Sequence, residues 1–62
     1  MILYIYNLET TKLVARIIGD NNEVCEAKAN DLYGDSYGWT YTPAFGATDG
    51  VKPGRNVKDI DA

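Results

Sequence analysis

The sequence predicts a small α+β domain: a β-hairpin, a helix and one further strand, with one sheet covered by one helix and a loosely ordered C-terminal tail. Three observations predict it. Two short runs rich in β-branched and aromatic residues open the chain. A stretch with helix-capping residues and an apolar 3.6-residue period follows them. An aromatic run with alternating threonines comes next, and beyond it the chain turns to glycine and polar residues. We place a single compact α+β domain over residues 1–45 and an extended or flexible tail over residues 46–62.

The run "ILYIYN" predicts a strand over residues 2–7, "LETT" a turn, and "KLVARII" a second strand over residues 12–18. Both runs are apolar on both faces, as in strands that are covered on both sides. One face should carry the helix. The other, with Tyr4, Tyr6, Val14 and Ile18 around Lys12 and Arg16, needs a different cover. Asp20 is the expected N-cap, with Glu23 three residues later as in a capping box. Gly34 suits the left-handed residue that ends a helix. Between them Cys25, Ala29 and Leu32 recur at i, i+4 and i+7 and predict the buried stripe. A third strand is expected over residues 38–42, with Trp39 and Tyr41 on one face and Thr40 and Thr42 on the other. Pro43 lacks an amide hydrogen and should stop it or keep it at an edge.

A domain of 62 residues has little apolar core to bury, so its stability as a monomer is marginal. Cys25 is the single cysteine and there is no histidine, which closes the disulfide and zinc routes to added stability. Association remains, and we expect a homodimer through Tyr4, Tyr6, Val14, Ile18, Trp39 and Tyr41, because two-fold dimers are the commonest oligomers. The opening "MILYIY" has no basic n-region and stops at Asn7, so neither a signal peptide nor a membrane span is expected. One reduced thiol fits the cytoplasm. A formal charge of -3 does not favour nucleic acid or anionic membranes.

Without histidine the usual general base near neutral pH is missing, so no enzyme is expected. Cys25 sits on the apolar stripe as a small hydrophobe. Glu23 with Glu26, and Asp59 with Asp61, read as solvated charges. The segment "GVKPGRN" at residues 50–56 lacks the ending of a P-loop, and "DNNE" lacks the spacing of a calcium loop. No metal and no cofactor is expected. The acidic residues are too scattered among cations to imitate a nucleic-acid backbone.

Residues 33–45, "YGDSYGWTYTPAF", hold five of the chain's seven aromatic residues. If the third strand pairs with the hairpin, Trp39 and Tyr41 could share a sheet face with Tyr4 and Tyr6, with Arg16 at its border. That set is the expected binding surface. It favours a protein-interaction module (an inhibitor, adaptor or assembly accessory) that occupies another protein's surface, since Tyr and Trp are enriched at interfaces. Stand-alone chains of this size are common among accessory proteins of phages and other mobile elements. The alternative is a binder of nucleotides or single-stranded nucleic acid that stacks bases on the aromatic face.

Overall fold

The structure, a computed structural model, describes residues 1–42 and 56–62. Five elements follow in chain order: β1 (Ile2–Asn7), β2 (Leu13–Ile18), α1 (Asn22–Leu32), β3 (Tyr37–Thr40) and β4 (Lys58–Asp61). They form a mixed four-stranded sheet, in the order β3-β1-β2-β4, with α1 on one face. This is the α+β hairpin–helix–strand architecture expected from the sequence, with one strand more. β4 comes from the end of the expected tail and runs parallel to β2. The rest of that tail, residues 46–55, and Pro43 and Phe45 lie outside the described residues.

The hairpin forms because both runs are rich in residues that fit a pleated surface. Leu3 faces Ile17 and Ile5 faces Ala15 across the ladder, and all four are fully buried. A bulge follows Ile5, where Tyr6 pairs with Leu13 and Val14 becomes the extra residue. The Asn7 carboxamide closes the turn by accepting from the amides of Glu9 and Thr10 at 2.8 and 3.2 Å. Thr11 completes it at a φ of 56°. A β-branched residue in the left-handed region is strained, by about 1–2 kcal/mol. Thr11→Gly is therefore expected to raise the melting temperature by several degrees, read by circular dichroism. A lower value would show that the hydroxyl bond from Thr11 Oγ1 to the Thr10 carbonyl outweighs the strain.

Asn21, not Asp20, is the N-cap: its Oδ1 accepts from the Val24 amide at 3.1 Å. The helix gives way to extended backbone at Tyr33, whose amide still donates to the Ala29 carbonyl. Gly34 is not left-handed, so the expected glycine stop is absent. Cys25 and Ala29 are buried against the sheet as expected, but Leu32 is 49% exposed. The core is thus Leu3, Ile5, Ala15 and Ile17 under Cys25 and Ala29, flanked by Leu13 and by partly buried Tyr33, Tyr37, Tyr41 and Ile60. Small residues on α1 let its axis lie close to the strands. At Gly19, where β2 hands over to the helix, the backbone exchanges hydrogen bonds with Met1 at 2.9 and 3.0 Å.

Candidate functional site

The sheet has two faces with different contents, and strand register decides which side chain goes to which. β3 pairs antiparallel with β1 so that Trp39 lies opposite Ile5 and Gly38 opposite Tyr6. Directly opposed residues share a face. Trp39 therefore stands on the side of Ile5, which carries the helix, and Tyr37 and Tyr41 follow it by alternation. Tyr4 and Tyr6 stand on the opposite side with Thr40 and Gly38. The expected grouping of Tyr4, Tyr6, Trp39 and Tyr41 on one face is corrected: the first two and the last two are separated by the sheet.

The helix-free face holds Ile2, Tyr4 and Tyr6 from β1, and Val14, Arg16 and Ile18 from β2. Ile2 and Ile18 are cross-strand partners, 38% and 39% exposed. The Tyr6 ring lies over Gly38, where an added Cβ would come within 2.5 Å of Tyr6 Cζ. Arg16 is not a free cation at the border of this face. Its Nε and NH2 donate to Asp59 Oδ1 and Oδ2 at 2.7 and 2.9 Å, a bidentate pair across the β2–β4 ladder. The bond to Asp59, with the charge of that carboxylate, raises the Arg16 pKa further above its ordinary value. Asp59, expected as a solvated charge, is an ion-pair partner, although both side chains stay about half exposed and water screens the pair. Among the described residues no element covers this face.

The helix side carries the aromatic row. Tyr33 and Tyr37 meet edge to face with ring centres 5.0 Å apart, and Trp39 and Tyr41 do so at 5.9 Å. Tyr41 spans to the helix, donating its hydroxyl to Glu26 Oε2 at 2.7 Å. Loss of water contact, then that bond to Glu26, push the Tyr41 pKa up to about 12. Tyr41 is therefore a strut between β3 and α1, with its hydroxyl committed. Trp39 is 42% exposed. Beside it a groove of about 190 Å³ opens between the end of α1 and β3, floored by Ile5 and walled by Tyr33, Tyr37 and Trp39.

The stacking alternative grouped the four rings on one face, with Lys12 and Arg16 at its edge. The sheet parts Tyr4 and Tyr6 from Trp39 and Tyr41, and Asp59 engages Arg16. Cys25 is buried, its thiol 3.7 Å from the Ile17 carbonyl. Among the described residues no helix is long and apolar enough to cross a membrane, and no three acidic, Cys or His side chains gather as metal ligands. The surface residues missed in the sequence are Ile2, Tyr33, Asp35 and Tyr37. A signal for two of them was present, because Tyr33 and Tyr37 bracket "GDS" immediately before the Trp39 strand. Comparison with models of known protein families, with curated proteins and with solved structures found no match.

Proposed function

We propose that this chain is a small non-enzymatic protein-interaction module of the cytoplasm that works by occupying a protein surface, and that it pairs with its own copy through the helix-free face. The observation that carries this reading is the adjacent pair Ile2 and Ile18, over a third exposed, beside Tyr4, Tyr6 and Val14. Apolar side chains on a sheet face leave water when a second sheet packs on them, and each square ångström so removed contributes about 25 cal/mol. A second copy brings the same residues in an isologous contact.

Sedimentation at micromolar concentration reads the state directly, since a dimer has twice the 6.8 kDa mass of one chain. Ile18→Lys is expected to return the dimer to monomer with its circular dichroism unchanged, because a lysine there buries an unpaired charge only when two copies meet. Trp39→Ala with Tyr41→Ala is expected to leave pairing intact, since both lie on the helix side. A parent chain that sediments as monomer would sink self-pairing and leave the face to a different protein. A thermal shift with a nucleotide would move the reading to the stacking alternative.

A further inference from the structure

We propose that the groove beside Trp39 holds the cationic end of an arginine or lysine side chain presented by a protein segment. The site lies on the side of the sheet opposite the self-pairing face, so it goes beyond that reading and stands or falls separately.

Three observations converge on a cation. The walls are Tyr33, Tyr37 and Trp39, with Asp35 and Asn30 among the lining, and none of its described residues is a lysine or arginine. Aromatic faces attract cations through the ring quadrupole, and arginine in particular stacks on them. The groove also sits at the C-terminal end of α1, where Ala29 and Asn30 line it and the last turn holds no basic residue. The carbonyls there carry the negative pole of the helix dipole, which a cation stabilises. Asp35 adds a full negative charge, and the chain as a whole has a net charge of -3. A phosphate or carboxylate would meet all of these with the wrong sign.

Size selects the source. Pockets for free ligands run to about 300–1,000 Å³, whereas this one measures about 190 Å³. It fits the end of one side chain. The rest of such a ligand must lie outside it, as the backbone of a peptide does.

The test is an NMR titration of the whole chain with capped Gly-Arg-Gly and Gly-Lys-Gly peptides, against the norleucine and glutamate equivalents. Trp39 is the single tryptophan, so its indole N–H is an unambiguous probe. The Arg and Lys peptides are expected to move that resonance at millimolar concentration, with an effect that weakens as salt is added. Asp35→Asn, in an exposed loop, is expected to keep the fold and weaken the Arg peptide about twofold to fivefold. Ile18→Lys is expected to leave this response unchanged, which separates it from self-pairing. No movement of the Trp39 signal, equal binding of the norleucine or glutamate peptide, or full affinity in Asp35→Asn would each overturn the proposal.

Discussion

Ile17→Ala is expected to lower the unfolding midpoint sharply, while Ile18→Ala, one residue on, barely changes it. The two side chains are identical and neighbours, but they point to opposite faces. Ile17 is 0% exposed, between Leu3 on the next strand and Cys25 on the helix, and Ile18 is 39% exposed. Truncating a buried isoleucine costs about 2–5 kcal/mol, as lost transfer energy plus the cavity left behind. At about 0.05–0.15 kcal/mol per residue, a domain of this size has roughly 3–9 kcal/mol in all. The first change therefore removes a large share of the total, from about a fifth to all of it. For Ile18 the expected loss is under about 1 kcal/mol in a monomer, and it grows with protein concentration where two copies share that face. Urea unfolding followed by circular dichroism measures both. Equal midpoints for the two variants would show that the core does not lie on the Ile17 side.

The second large effect is expected at Gly19, where alanine should lower stability by about 1–3 kcal/mol through overpacking. An added Cβ would meet Val24 Cγ2 at 2.8 Å, Cys25 Sγ at 2.9 Å and Ala62 Cβ at 3.0 Å. Val24 is exposed and can swing away, but Cys25 is fully buried and has nowhere to go. Nor can the backbone retreat, because Gly19 is held on both its amide and its carbonyl by Met1. Gly38→Ala is the control. Its Cβ would strike the far end of the Tyr6 ring, a half-buried side chain that can rotate off β3. Each kcal/mol lowers the melting temperature of a domain this small by about 4–8 °C, so calorimetry resolves the pair. A Gly19→Ala variant as stable as the parent chain would mean that α1 does not pack closely on the end of β2.

The hairpin and the helix were legible because their signals are local. The runs at residues 2–7 and 13–18 carry their own β-propensity, and Cys25 and Ala29 their own period. What was not legible depends on distant partners. Asp20 and Asn21 are both good caps, and only the path out of β2, fixed at Gly19 by Met1, selects the second. Alternation correctly joined Trp39 to Tyr41 and parted both from Thr40. It could not give the register of β3 against β1, and a slip of one residue sends a whole strand to the other face. The pairing of Tyr6 with Gly38 settles that register, placing the large ring over the residue that has no side chain. β4 was the hardest to read. Of "KDID" only Ile60 is apolar, and its partner strand lies more than forty residues earlier in the chain.

That same composition bears on what the edge of the sheet offers to other chains. The outermost strand of a sheet offers unpaired amides and carbonyls to any extended chain that drifts past, and so invites intermolecular stacking. On the β2 side the position is taken by a strand of four residues, of which Lys58, Asp59 and Asp61 are charged. Apolar "LVARII", which by itself would be a ready template for association, is thereby kept behind a short and strongly hydrated border. Arg16 fastens that border by its bidentate bond to Asp59, and the Ala62 amide closes it on the Ile18 carbonyl at 2.8 Å. β4 adds little to the core, but it covers the edge of an apolar strand that would otherwise be open to pairing.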